Sequence, residues 1–251
     1  MKNVLFTGAC TALVTPFRDG KVNYTMLETL LARQLEAGIT AIVICGTTGE
    51  APTLSDLEKI QLFKKAKDFV GNKGKIIAGT GSNSTSHAIA LSKAAEDVGV
   101  DGLLVVSPYY NKATKDGLVT HYGAITSAVH IPMIAYNVPS RTGVDIPVSV
   151  YHALSQVPNF AGVKEASNDI TKITRIRAAC PELPVWSGND DQAAAVMECI
   201  ISYRCHSVRD GDVGQAAAAG ECIISYGSYT VRDGDACQAA AAMECIISYR
   251  S

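Results

Sequence analysis

The sequence predicts an α/β fold, and within that class a (β/α)8 barrel. Three observations point there. Seven short, almost wholly apolar runs alternate with amphipathic helical stretches over residues 1–190. No GxGxxG follows the first run, so a dinucleotide-binding open sheet loses its best evidence. Polar residues stand at or just after the ends of several different strand-like stretches: Thr47 and Thr48, Tyr109 and Tyr110, Tyr136, Lys164, and Ser187 with Asn189. A barrel collects its chemistry in this way, at the C-terminal ends of many strands.

The runs are ACTALVT, AIVICGTTG, KIIAGTG, GLLVVSP, PMIAYNV, FAGVKEA and PVWSGN. Such runs suit strands covered on both faces, as in a parallel sheet. The helices between them have readable ends. Asn23 is placed to cap a helix whose Leu27, Leu30, Leu31 and Leu35 share a face, and Gly38 stops it. Ser55 and Glu58 form a capping box ahead of Ile60, Phe63, Ala66 and Val70. Gly99 ends the helix through Ile89 and Ala95, and Ile170 and Ile173 mark another apolar face.

The tail is repetitive. Residues 208–226 and 231–249 agree at 16 of 19 positions, and a looser copy, DDQAAAVMECIISY, spans 190–203. Each unit reads as an RDGD turn, an Ala-rich helical start and a β-branched end. The first copy arrives where an eighth strand is needed, so the barrel is expected over 1–203 with its eighth strand at Cys199–Tyr203. Residues 204–251 are expected as a helical tail packing on or extending the barrel.

Bulk properties narrow the function. The 251 residues are 47% hydrophobic and 18% charged, with net charge −2, which gives no electrostatic pull toward nucleic acid or anionic membrane. The opening MKNVLFTGAC is too short and interrupted for a signal peptide or a membrane span, so a cytoplasmic location is expected. The eight cysteines include no CxxC pair and are expected as free, mostly buried thiols, with no metal site.

Lys164 lies inside the apolar run FAGVKEAS. Strict alternation would put Phe160, Gly162 and Lys164 on one face and Ala161 and Val163 on the other. A lysine facing a barrel interior loses hydration, which favours the neutral, nucleophilic amine. The blander alternative is a strand-end lysine that reaches solvent or pairs with Glu165. Tyr136, in AYNVPSRTG, is a phenol able to relay protons near an imine-forming lysine, or a core tyrosine. Arg141 sits in a loop shaped by Pro139 and Gly143, where a guanidinium can clamp a carboxylate or simply face solvent. Thr47 and Thr48, in GTTGE, can bind a carboxylate, pass a proton or cap a turn. Tyr109 and Tyr110, in SPYYN, suit a site or an interface.

GTTGE, GTGSN, SPYYNK, YNVPSRTG, GVKEAS and SGNDD occur together in one order. In that order and spacing the chain resembles the dihydrodipicolinate synthase family over roughly residues 3–192. The resemblance implies a (β/α)8 barrel, usually a homotetramer, that condenses pyruvate with L-aspartate-β-semialdehyde toward diaminopimelate and lysine. It implies a Schiff base on Lys164 and a proton relay of Tyr136, Thr47 and Tyr110, the last reaching across from a neighbouring subunit. Thr48, Arg141, Gly188 and Ile201 form the implied substrate-binding set. No metal or organic cofactor is implied. N-acetylneuraminate lyase and sugar-acid aldolases share the lysine and tyrosine; PSRTG and the paired tyrosines favour the synthase, because a small charged semialdehyde needs a cationic clamp. A barrel without turnover, serving as a scaffold, is the reading from a different class.

Departures from the family pattern are also visible. Ala113 stands where proline is usual. The regulatory cleft of lysine-sensitive members uses a histidine and a glutamate where this chain has Asp56 and His87, although Asn83 and Tyr109 are kept. The family's Gly-rich turn, eighth strand and helical C-terminal domain are replaced by the repeats.

Overall fold

The computed structural model describes residues 4–189, 192 and 244–248, the last five by backbone alone. Strand β1 (Gly8–Ala12) opens the barrel, and a small hairpin of β2 (Phe17–Arg18) and β3 (Lys21–Val22) follows it. Helix α1 (Tyr24–Glu36) leads to β4 (Ala41–Ile44), then α2 (Asp56–Val70), β5 (Lys75–Gly79), α3 (Thr85–Val98) and β6 (Gly102–Val106). Next come α4 (Lys115–Ala128), β7 (Met133–Asn137), the short α5 (Pro139–Thr142), α6 (Val148–Ser155), β8 (Phe160–Glu165), α7 (Ile170–Ala179) and β9 (Val185–Ser187). Strand β10 (Glu244–Ser248) lies between β9 and β1 and closes the barrel.

Seven of the eight barrel strands run parallel, from β1 through β4 to β9. Each falls inside one of the seven apolar runs, except that β1 begins one residue earlier, at Gly8. Strand β10 is antiparallel to both neighbours. The last repeat therefore supplies a strand at Glu244–Ser248 where a helix is expected. Its β-branched isoleucines suit a strand, and the edges of β9 and β1 offer the backbone partners it needs. The expected eighth strand, Cys199–Tyr203, lies outside the described residues; the seat between β9 and β1 holds a later copy of the same ECIIS letters.

The helix ends follow local chemistry. The Asn23 side chain accepts from the Met26 amide, and Leu27 and Leu31 are buried. Ser55 and Glu58 satisfy each other's backbone amides in a full capping box, an arrangement worth about 1 kcal/mol. Gly99 adopts φ +84 to end α3, a geometry that favours glycine.

Two apolar layers result. One lies between strands and helices and holds Ile42, Ile76, Leu103, Phe160 and Val163. The other fills the barrel and holds Val43, Ile77, Leu104, Ile134, Tyr136 and Trp186. Leu5 and Phe6 belong to this inner layer, with Phe6 stacked on Trp186 at 5.0 Å between ring centroids. Strand β8 departs from strict alternation. Phe160 joins the outer layer and Ala161 the inner one, reversing the expected faces of both. The reason is a register shift opposite Met133 and Ile134. Gly162 sits at that shift with φ +155, and a β-carbon there would lie 2.5 Å from Pro184 O and from Trp186 Cζ3. Beyond it alternation resumes with Val163 facing outward. Among the described residues no helix is long and apolar enough to cross a membrane. Cys10, Cys45 and Cys180 are buried.

Candidate active site

Lys164 is 1% exposed, one of the largest side chains buried in the protein. Its strand partner across the β7–β8 seam is Tyr136. The Lys164 Nζ lies over the Tyr136 ring, 4.3 Å from its centroid. Burial of a lysine among strands is rare unless its amine is used or satisfied. Gly188, just beyond β9, makes room for it: a β-carbon there would come within 2.7 Å of Lys164 Cε and 2.8 Å of Ala166 Cβ.

Glu165 does not follow Lys164 inward. It is 2% exposed and is held by Asn137 Nδ2 at 2.7 Å, Ser167 N at 3.0 Å and the Tyr151 hydroxyl at 3.3 Å. Lys172 Nζ approaches it at 3.8 Å. Burial pushes the Glu165 carboxyl upward, against the lowering influence of Lys172, Asn137 and Ser167.

A cavity of about 620 Å³ opens at the C-terminal ends of the strands. Thr47, Tyr109, Tyr110, Tyr136 and Arg141 line it. Tyr136 connects this space to Lys164, which is not itself among the lining residues. Thr48 is half-buried in the turn beside Thr47, Gly188 is buried against Lys164, and Asn83 is exposed ahead of α3. Ile201 lies outside the described residues. Arg141 is exposed on α5, which Pro139 starts and Gly143 ends in the left-handed region. Tyr110 is 90% exposed and holds φ +73, a conformation costing a non-glycine residue about 1–3 kcal/mol.

The wall also contains residues outside the predicted site. Cys45 holds φ +55, and burial pushes its thiol up to about 12. Its carbonyl would meet a β-carbon on Gly79 at 2.0 Å, and Val106 N would meet one on Gly81 at 2.5 Å. The glycines of GTG thus let neighbouring backbones approach. Lys59 is 9% exposed and lines the cavity. Its position four before Phe63, on the buried face of α2, was the available signal. Its Nζ lies 3.6 Å from Asp56 Oδ1, while Lys112 and Arg141 bring the cations of the described lining to three, with no carboxylate among the lining residues, a balance suited to anionic ligands.

Asp56 and His87 face each other. His87 Nε2 lies 2.8 Å from Asp56 Oδ2, and its Nδ1 lies 3.1 Å from Ser82 Oγ. Burial acts to raise the Asp56 carboxyl, but His87 and Lys59 outweigh it and hold it low. Among the described residues no cluster of three or more His, Cys, Asp or Glu is placed to hold a metal ion.

A family profile described as the dihydrodipicolinate synthetase family matches residues 5–202. The chain belongs to this family. It is 45% identical over 194 residues to 4-hydroxy-tetrahydrodipicolinate synthase of Clostridium novyi, covering 77% of this chain and 66% of that protein. The crystal structure of dihydrodipicolinate synthase from Aquifex aeolicus superposes with a TM-score of 0.76 at 40% identity, covering 77% of this chain and 67% of that one. The chloride-inhibited dihydrodipicolinate synthase from Acinetobacter baumannii, complexed with pyruvate, gives a TM-score of 0.75 at 44% identity, over 77% and 67%. The chain therefore spans about 66% of the length of that Clostridium novyi relative.

Proposed function

We propose that the protein is a class I lyase that condenses pyruvate with L-aspartate-4-semialdehyde, giving 4-hydroxy-tetrahydrodipicolinate for diaminopimelate and lysine synthesis. The carrying observation is Lys164, 1% exposed, with its amine over the ring of Tyr136. In this reading Lys164 Nζ attacks the keto carbon of pyruvate, and the carbinolamine loses water to give the imine. A methyl proton leaves to form the enamine, whose carbon attacks the aldehyde. The amine of the semialdehyde then closes the ring on the imine carbon and releases Lys164. Covalent attachment to Lys164 does the work of a cofactor, and none is proposed.

Tyr136, Thr47 and Tyr110 relay the protons. Thr48 and Gly188 border the pyruvate, Ile201 contributes from the tail, and Arg141 clamps the semialdehyde carboxylate. Three lining cations support anionic substrates over a neutral polyol. A homo-oligomer, dimer or tetramer, in the cytoplasm completes the proposal: Tyr110, strained and 90% exposed, is suited to serve a neighbouring subunit. Asn83 and Tyr109 remain as parts of a regulatory cleft, although the His87–Asp56 pairing argues against lysine sensitivity.

Turnover tests the substrate. Product should form from pyruvate with the semialdehyde and not from pyruvate with N-acetylmannosamine or sugar aldehydes. Preference for a sugar partner would contradict the assignment.

A further inference from the structure

Strand alternation gives each reactive position of the β7–β8 seam a polar follower on the opposite face. Tyr136 is followed by Asn137 and Lys164 by Glu165, and the two followers are themselves paired across the strands. Asn137 is fully buried and its whole amide is engaged. Nδ2 donates to Glu165 Oε1 at 2.7 Å and to Asp145 Oδ1 at 2.8 Å, while Oδ1 accepts from Ile146 N at 3.0 Å. Lys172 bridges the two carboxylates from α7, and Tyr151 reaches Glu165 from α6. Asp145 and Ile146 lie just beyond Gly143, which ends the turn carrying Arg141.

We propose that Asn137 is a positioning residue for the reaction: its amide holds Tyr136 in register with Lys164 and ties the Arg141 loop to the same two strands. The inference rests on Lys164 being the imine-forming lysine. Its chemistry is specific. Two carboxylates need two donors, and the Ile146 amide needs an acceptor. An asparagine supplies that set at this size, whereas an ionised aspartate supplies acceptors only. A misplacement of about 1 Å between reacting groups costs on the order of 100-fold in rate, so a clamp behind the seam is felt in front of it.

The test compares Asn137→Asp, Glu165→Gln and the double variant. Turnover is counted per active site, with sites titrated by borohydride-trapped pyruvate and at a temperature where each variant is folded by circular dichroism. A residue serving stability alone would lower the melting temperature and leave turnover per titrated site unchanged. The expected result is a loss of about 100-fold per site for Asn137→Asp. The double variant should recover about tenfold, because the amide introduced at Glu165 can donate to the new carboxylate and remake the interstrand bond in reverse.

Wild-type turnover per site in folded Asn137→Asp, or no recovery in the double variant, would overturn the proposal while leaving the proposed function standing. A wild-type chain that traps no pyruvate would overturn both. If Asn137→Asp does not fold, Asp145→Ala carries the test from the exposed end of the network. There the KM for the semialdehyde should rise about tenfold with the pyruvate KM unchanged, and no change in either would refute the coupling.

Discussion

The β7–β8 seam and the seam that closes the barrel at β9, β10 and β1 are built differently. Between β7 and β8, residues pair in parallel from Met133–Phe160 to Asn137–Glu165, with buried hydrogen bonds behind the last rung. At the closing seam β10 runs antiparallel, pairing along β1 from Gly8–Ser248 to Ala12–Glu244 but meeting β9 at Ile247–Ser187 alone. The first seam carries the proposed chemistry and is held by side chains from two helices. The second takes one strand from a repeated tail, paired along β1 and at Ile247–Ser187. Precision sits where a lysine and a phenol must meet, and the backbone edges of β9 and β1 receive an antiparallel strand in closing the barrel.

Changes at the first seam should have the largest effects. Tyr136→Phe removes the proposed proton relay and is expected to lower turnover by roughly 10²–10⁴-fold while Lys164 still traps pyruvate; loss of trapping with unchanged turnover of the trapped fraction would refute the role. Gly188→Ala connects the two seams. Its β-carbon would overlap Lys164 Cε and Ala166 Cβ, so turnover should fall about 100-fold with little change in the KM for the semialdehyde.

The contrast itself is open to hydrogen exchange. Amides of Ala135 and Val163 should open only with global unfolding, whereas those of β10 should exchange roughly tenfold faster or more. Equal protection would show that closure is as firm as the catalytic seam.

The smallest effect concerns the scaffold away from both seams. His121 on α4 hydrogen-bonds Thr85 through Nδ1, and burial lowers its pKa to about 4. An unfolded histidine titrates near 6.5, so the unfolded chain takes up this proton first. Stability from His121 is complete above about pH 6.5 and declines as pH falls from there to about 4. His121→Gln should flatten that decline in urea midpoints measured between those limits.

Much of this arrangement is legible in the residues. Continuous apolar runs mark the parallel strands because both faces are covered, and Asn23, Ser55 with Glu58, and Gly99 set helix ends by local hydrogen bonds. The candidate site follows from the polar residues at the C-terminal ends of those runs. What stays hidden depends on tertiary approach. The face of Phe160 turns on a register shift at Gly162, which periodicity does not report. The GTG glycines look like a ligand loop until Cys45 O and Val106 N are placed beside them. The Ala-rich stretch before β10 points to a helix, whereas the segment pairs with the edges of β9 and β1 as a strand.

Borohydride reduction in the presence of pyruvate, followed by mass spectrometry of the digested protein, tests the central claim most directly. One reduced pyruvate adduct on the peptide carrying Lys164, absent from Lys164→Ala, is the predicted result. A folded protein with no adduct, or with the adduct on another lysine, would contradict the assignment of Lys164 as the nucleophile.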